Sequence, residues 1–117
     1  MRQLFILILL ITQNLNAQSN MSLDAVTEIK CELLQGKKML PFSNRGKDPL
    51  HILALQSSNS NIRIKTISNP ILAGSMGYFL IEYDFSKIPK PEAIALIIKT
   101  NDYKKPNITL LLLRPER

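Results

Sequence analysis

The chain has 117 residues, with fifteen lysines and arginines against nine aspartates and glutamates, and a formal net charge of +6 at pH 7. This length allows one small domain and no more. The basic residues are dispersed, so the sequence lacks the concentrated basic stripe with interleaved aromatic residues that nucleic-acid binding needs. One cysteine forms no internal disulfide, so stability must come from a hydrophobic core.

Residues 1–17 have the pattern of a secretory signal peptide. Arg2 supplies the positive start, residues 4–11 form an apolar run, and Ala17 is the small residue that signal peptidase requires. A membrane anchor needs roughly 20 apolar residues, whereas this run is interrupted at 12–14. We therefore expect an exported chain, periplasmic or secreted, cleaved after Ala17 and without a stable membrane span.

Residues 18–24 are polar and carry no periodic pattern, so we expect a flexible start there. Residues 25–117 are expected to form a single domain. Six or seven short strands separated by turns in about a hundred residues indicate an all-β, immunoglobulin-like β-sandwich. The predicted strands lie around Cys31 and at residues 40–44, 50–56, 62–67, 77–84, 93–99 and 108–113.

Three of these strands carry more specific expectations. Pro41 has no N–H to donate, so the strand at 40–44 should lie at a sheet edge or place Pro41 where its nitrogen faces away from the ladder. The nearly continuous apolar run at 50–56 predicts a central, buried strand. The residues expected to point inward from the strand at 77–84 are Phe79, Ile81 and Tyr83.

Cys31 should share an inward strand face with Ile29 and Leu33. The simplest interpretation is a small, buried hydrophobic residue. The alternative is a free thiol that pairs with another chain.

Short motifs stand in a fixed order over roughly residues 40 to 114. Residues 42–52 read FSNRGKDPLHI, residues 77–84 read GYFLIEYD, and residues 100–101 and 106–110 read TN and PNITL. This order resembles the bacterial domain-of-unknown-function 1573 family, whose pattern runs from F-x-N-x-G-x-x-P-L-x-I through G-x-I-x-V-x-Y-D to T-N and a final strand. The resemblance implies an Ig-like sandwich related to Hydin and abnormal-spindle modules, an exported location and no general activity.

Two positions depart from the family pattern. Members usually carry Cys-Gly-Cys after the first of these strands, whereas residues 57–61 here read SSNSN, so no metal or redox role carries over. Ala73 and Gly74 replace the usual Pro-Gly turn, and Gly74 keeps the residue type that tolerates positive φ.

No catalytic or metal-binding constellation is visible in the sequence. His51, the one histidine, should point to the opposite strand face from Leu50 and Ile52, either toward solvent or covering the sheet. One histidine and one cysteine far apart give no ligand spacing, so we expect no metal, no cofactor and no enzymatic activity. The acidic residues considered for calcium, too few for a site, are Glu82, Asp84 and Asp102.

The sequence also predicts apolar side chains on the solvent-facing sides of several strands. Soluble monomers rarely expose large apolar patches. If the strands are neighbours, these side chains form one interaction surface; alternatively, segment 25–34 or the loop around Ile88 covers them. The candidate residues are Tyr78, Leu80, Ile97, Leu111 and Leu113.

The leading hypothesis is a non-catalytic exported module that binds another envelope or secreted protein or serves in structural assembly. The alternative is a small carbohydrate- or polyanion-binding domain that uses Tyr78, Tyr103 and the basic pair Lys104 and Lys105. The oligomeric state stays open at this stage.

Overall fold

The computed structural model describes residues 19–88 and 93–115, and the predicted signal peptide lies outside these ranges. Within them the chain forms two packed sheets and one short 3-10 helix, Phe85–Lys87. The predicted all-β, Ig-like sandwich is confirmed, with seven strands. These are β1 (Val26–Lys30), β2 (Gln35–Ser43), β3 (Ile52–Ser57), β4 (Ile62–Thr66), β5 (Met76–Asp84), β6 (Ala93–Thr100) and β7 (Asn107–Leu113).

One sheet has four strands in the order β1-β7-β6-β3, and the other has three in the order β2-β5-β4. All neighbours are antiparallel except β1 and β7, which run parallel. The pairing of β3 with β6 contains an irregularity between Ile52 and Ala54. In the described residues no helix is long and apolar enough to cross a bilayer.

The core lies between the two sheets and is built by period-two alternation. From β5, Phe79 and Ile81 are fully buried and Tyr83 nearly so, as the sequence predicts. Each fully buried apolar side chain contributes about 1.5–3 kcal/mol relative to exposure, so these rows dominate folding. The facing rows on β6 and β7 are Ile94, Leu96, Ile98, Ile108, Leu110 and Leu112.

Gly77 is required where β5 passes Phe42 of β2. The rings of Phe42 and Phe79 stack with centroids 4.4 Å apart and an interplanar angle of 16°. A Cβ on Gly77 would lie 2.7 Å from Phe42 Cζ and 2.8 Å from Ile71 Cγ1, closer than real Cβ atoms approach. Glycine therefore allows the aromatic stack to close over the start of β5.

Residues 19–23, here called the strap, are bound to the sandwich, which differs from the expected flexible start at 18–24. Met21 is fully buried, and its N–H donates to Asp102 Oδ2 at 3.0 Å. Lys105 Nζ donates to the carbonyl oxygens of Met21 and Leu23 at 3.1 and 3.0 Å. Asp102 and Lys105 belong to the β6–β7 loop, about 80 residues further along the chain, so no local pattern predicts these contacts.

Asn44 organises the turn that follows β2. Its buried Oδ1 accepts from the N–H of Asn20 and of Gly46, both at 3.0 Å. Its Nδ2 donates to the carbonyl oxygens of Asp48 and Ile71 at 2.7 and 3.0 Å. A single amide thus joins the strap, the turn and the segment before β5, and Gly74 in that segment has the predicted positive φ, 77°.

Three strand predictions need correction. Strand β2 begins at Gln35 rather than at residue 40, although its edge position, inferred from Pro41, is confirmed. The run predicted to be central forms edge strand β3, where Leu53 is 63% exposed, because an apolar run does not specify its place in a sheet. Strand β1 ends at Lys30, so Leu33 leaves the alternation and is exposed, while Cys31 is buried.

Candidate interaction surface

The five predicted surface residues do not form one surface. Tyr78 and Leu80 project from β5 on the outer face of the three-stranded sheet. The other three project from β6 and β7 on the outer face of the four-stranded sheet: Ile97, Leu111 and Leu113. The core separates the two sets, so the expectation of a shared patch is wrong, because β5 and β6 belong to different sheets.

The outer face of the three-stranded sheet carries a continuous apolar region. Met39 and Leu80 are paired neighbours, as are Pro41 and Tyr78, so apolar side chains stand side by side across β2 and β5. Ile67 N–H donates to the carbonyl oxygen of Tyr78 at 3.0 Å. Ile67, just past the end of β4, therefore stands next to Tyr78 and extends the Pro41–Tyr78 pair into a row of three. We call this region the apolar face; its residues are Met39, Pro41, Ile67, Met76, Tyr78 and Leu80.

The apolar face is exposed to solvent and bordered by mostly basic side chains. Met39, Ile67 and Met76 are each more than half exposed, and Leu80 is half-buried. On the side toward the end of β5, Glu82 lies between Lys37 and Arg63 in the ladder, and Lys37 Nζ is 3.5 Å from Glu82 Oε2. Lys65 pairs with Leu80. Three cations against one carboxylate make this border electropositive.

Sequence reasoning missed four members of the apolar face: Met39, Pro41, Ile67 and Met76. The consecutive lysines Lys37 and Lys38, just before Met39, are typical of a turn, so the predicted strand begins only at residue 40. Reading β2 from Gln35 instead places Lys37, Met39 and Pro41 on one face with period two. That longer alternation was the available signal.

The outer face of the four-stranded sheet also carries apolar side chains, and Val26 of β1, opposite Thr109, is 60% exposed. Ile97, Leu111 and Leu113 are half-buried. Their paired neighbours across the ladders include small or polar residues: Ala93, Ala95, Thr109, Glu28 and Lys30. Among the described residues neither expected cover lies over this face, since β1 extends the sheet at its edge and Ile88 is buried in the core.

The residues considered for chemistry are separated or already engaged. His51 is exposed while Leu50 and Ile52 are buried, as predicted. Burial raises the pKa of the Cys31 thiol, an effect opposed by Lys38 and by a hydrogen bond with Tyr83, so the reactive thiolate is disfavoured. In the described parts of the chain, no three His, Cys, Asp or Glu residues cluster closely enough to hold a metal ion.

A shallow, polar cleft of about 520 Å³ lies beside the end of β5. Glu82 and Asp84 line it, and each has a lysine partner, Lys37 at 3.5 Å and Lys87 at 3.9 Å. Asp102 instead accepts from the N–H groups of Met21 and Lys104, which makes it a structural residue rather than a third member of this group.

The residues of the predicted carbohydrate site are on different elements. Tyr78 projects from β5, whereas Tyr103 is exposed in the β6–β7 loop, with Lys104 Nζ 5.9 Å from its ring centroid. Lys105 is occupied in holding the strap.

Comparison with known proteins supports the fold. No protein-family model matches this sequence, and comparison with curated proteins gives no match. A crystal structure of a protein of unknown function from Porphyromonas gingivalis is similar with a TM-score of 0.67 and 20% identity, covering 84% of this chain. The present chain spans about half of that protein, 48% of its length.

Two further solved structures share the sandwich. WR4, a C. elegans MSP family member, matches with a TM-score of 0.57 and 12% identity over 84% of this chain and 98% of its own. The secreted serine protease VesC from Vibrio cholerae matches with a TM-score of 0.51 and 14% identity over 91% of this chain and 24% of its own. At these identities the likeness shows an Ig-like fold alone, and the resemblance to the domain-of-unknown-function 1573 family stays a prediction.

Proposed function

We propose that this protein is a non-catalytic, exported Ig-like module that binds another protein of the envelope or secreted space through the apolar face. The observation that carries the proposal is a group of six neighbouring apolar side chains on one sheet of a small domain, five of them exposed and Leu80 half-buried. Exposed apolar regions bordered by polar residues are typical of protein interaction sites. Methionine and tyrosine, both present here, are enriched at the centres of such interfaces.

Export rests on the signal-peptide pattern of residues 1–17, together with the resemblance to an exported family of domains. The lack of enzymatic activity rests on the chemistry of the described residues. The exposed His51 has no acidic or thiol partner among its hydrogen bonds, and Cys31 is buried. Binding through a rigid sheet face accounts for the exposed apolar residues without requiring a reaction.

The test is capture of envelope proteins by the immobilised mature chain, compared among matched leucine substitutions. Leu80→Lys places a charge in the apolar face, Leu111→Lys does so on the opposite outer face, and Leu53→Lys alters an exposed leucine of edge strand β3. We expect one dominant partner, retained by the last two variants and reduced at least about tenfold by Leu80→Lys.

Met39→Lys keeps this test decisive if Leu80→Lys unfolds, because Met39 is more than half exposed and tolerates charge more readily. Circular dichroism establishes that each variant is folded. Equal capture by folded wild type, Met39→Lys and Leu80→Lys would overturn the proposal, and selective loss with Leu111→Lys would move the site to the four-stranded sheet.

The carbohydrate alternative has one supporting observation, the exposed Tyr103 ring with Lys104 beside it. Tyr103→Ala would abolish salt-insensitive glycan binding on that hypothesis. Binding of a polyanion would instead disappear above about 0.2 M salt.

A further inference from the structure

The backbone groups of β2 alternate between those that face β5 and those that face away from it. Phe85 N–H donates to the carbonyl oxygen of Leu34 at 2.6 Å, and Asn44 N–H to that of Ser75 at 3.0 Å. These two bonds show that the even-numbered residues of β2 form the backbone hydrogen bonds to β5. The odd-numbered residues, including Pro41, therefore direct their N–H and carbonyl groups away from the sheet.

Within the part of the chain that the structure describes, one end of this outward edge is closed. Ser43 N–H donates to Ser22 Oγ at 2.8 Å, and Ser22 N–H to the carbonyl oxygen of Ser43 at 3.0 Å. After the strap, the chain turns away from the β2 edge and forms β1, which pairs with β7 in the other sheet. Among the described residues, no strand pairs with the other end of the edge, here called the open edge: Gln35, Lys37 and Met39.

A groove of about 410 Å³ runs beside the open edge. One side is formed by the turn after β1, where Leu33 is exposed, and the other by β2 and the Tyr83 side chain. The groove thus offers unpaired backbone groups together with apolar contacts, which is what an added β-strand requires. Its charged lining residues are Lys37, Lys38 and Glu32.

We infer that the open edge accepts an extended strand of another protein that carries carboxylate side chains. This inference rests on the proposed function and specifies its partner: the strand would extend the β2-β5-β4 sheet. Its outward side chains would then lie beside Lys37 and Met39, next to the apolar face. Cross-strand pairs of opposite charge are favourable. A carboxylate on the outer face of the added strand would lie beside Lys37 and one on its other face beside Lys38, so the two lysines select an acidic segment.

A second copy of this chain fits the open edge poorly. An antiparallel copy centred on residue 37 or 38 would set Lys37 or Lys38 directly opposite itself, which is destabilising. Centring the pair on Met39 would oppose Lys37 to Pro41, which has no N–H to donate. Lysine and proline are typical guards of an edge against self-association, and here the same lysines would accept a carboxylate partner.

The test is an NMR hydrogen-exchange titration of the mature chain with acetyl-Val-Glu-Val-Glu-Val-Glu-Val-amide, up to roughly millimolar peptide. The basic control peptide has lysine in place of each glutamate. We expect the acidic peptide to slow amide exchange of Lys37 and Met39 at least about tenfold, and the basic peptide to leave both unchanged.

Two variants separate the backbone from the side chain at the open edge. Met39→Pro removes one outward N–H. Because Met39 has the same orientation as Pro41, β2 should still form in this variant. The substitution should abolish the peptide's protection of the Lys37 amide. Met39→Ala keeps the N–H and should retain that protection. Equal protection of the Lys37 amide in both folded variants would overturn the inference. So would protection of this amide by the basic peptide, protection confined to the amides of Tyr78 and Leu80, or no amide protection by the acidic peptide.

Envelope capture separates this inference from the proposed function. A partner lost with Leu80→Lys but retained by folded Met39→Pro would leave the apolar face as the binding site and overturn the strand-addition inference. Concentration-dependent dimers that protect Lys37 without peptide would overturn it in favour of a second copy. Loss with Leu80→Lys and with Met39→Pro but not with Met39→Ala, which removes the same side chain and keeps the N–H, supports both proposals when the acidic peptide also protects the edge.

Discussion

The two ends of strand β2 differ in how the chain satisfies the outward edge. At Ser43 the strap supplies hydrogen-bond partners, and Met21 fills the core beside it. At Lys37 and Met39 no strand within residues 19–88 and 93–115 pairs with this edge, and neighbouring side chains such as Leu33 and Met39 are exposed. One end therefore serves stability, and the other is the end to which we assign partner binding.

This contrast teaches that an edge strand can be closed in part. A fully closed β2 would stabilise the domain but offer no strand-pairing site, whereas a fully open one would be prone to uncontrolled pairing. The strap, the two lysines and Pro41 limit the exposed backbone to a short segment. Mutations at the closed end should therefore lower the free energy of unfolding, and mutations at the open end should mainly affect binding.

The largest expected effect is loss of the Met21 side chain at the closed end. Met21→Ala should lower the free energy of unfolding by about 2–5 kcal/mol, because it leaves a cavity where a fully buried side chain packs. Met76→Ala is the matched control, since Met76 is more than half exposed and its loss should change stability by less than about 0.5 kcal/mol. Urea denaturation measures both, and equal small effects would mean that the strap does not stabilise the domain.

A glycine pair gives a smaller test of the same contrast. Gly77→Ala adds a methyl group against Phe42 and Ile71 and should cost about 1–3 kcal/mol. Gly36→Ala, near the open end, meets Tyr83 Oη at 3.1 Å, the far end of a side chain that can move. Its cost should be offset by the reduced freedom of the unfolded chain, about 0.4–1 kcal/mol. Thermal unfolding would contradict this account if Gly36→Ala were the more damaging substitution.

The smallest effect concerns alkaline pH and the pair of side chains beneath the open edge. Burial, first among the causes, raises the pKa of Cys31 above its ordinary value of 9.0 and that of Tyr83 above 10.0. The unfolded chain then loses these protons first, so stability is full below about pH 9 and falls as pH rises through the folded-state pKa values.

The measurement is urea denaturation of the wild type and of the Cys31→Ala/Tyr83→Phe double variant between about pH 8 and about pH 11. Subtracting the two profiles removes the titration of the lysines. The double variant should show a weaker alkaline decline, and parallel profiles would exclude a contribution from these two groups.

Local patterns were sufficient for much of the fold. Phe79, Ile81 and Tyr83 are buried as the period-two alternation of β5 predicts, and His51 is exposed between two buried neighbours. Pro41 correctly indicates an edge, because the missing N–H is a property of the residue itself. The 50–56 run was misplaced because hydrophobicity does not reveal how many strands flank a segment.

The candidate site was predicted only in part. Tyr78 and Leu80 do belong to an exposed apolar face, but Ile97 and Leu111 lie across the core from them. Which sheet receives a strand depends on pairing between distant segments, and alternation along one segment is the same in either sheet.

The sequence by itself determined that this chain forms an all-β sandwich, that Phe79, Ile81 and Tyr83 point inward, and that Pro41 lies at an edge or directs its nitrogen away from the ladder. These follow from period-two alternation, turn residues and proline chemistry, which act locally along the chain. The tertiary structure alone decided that the strap closes one end of β2 and that the apolar face stands beside the open end. Those features depend on contacts between segments far apart in sequence, such as Met21 with Asp102 and Met39 with Leu80.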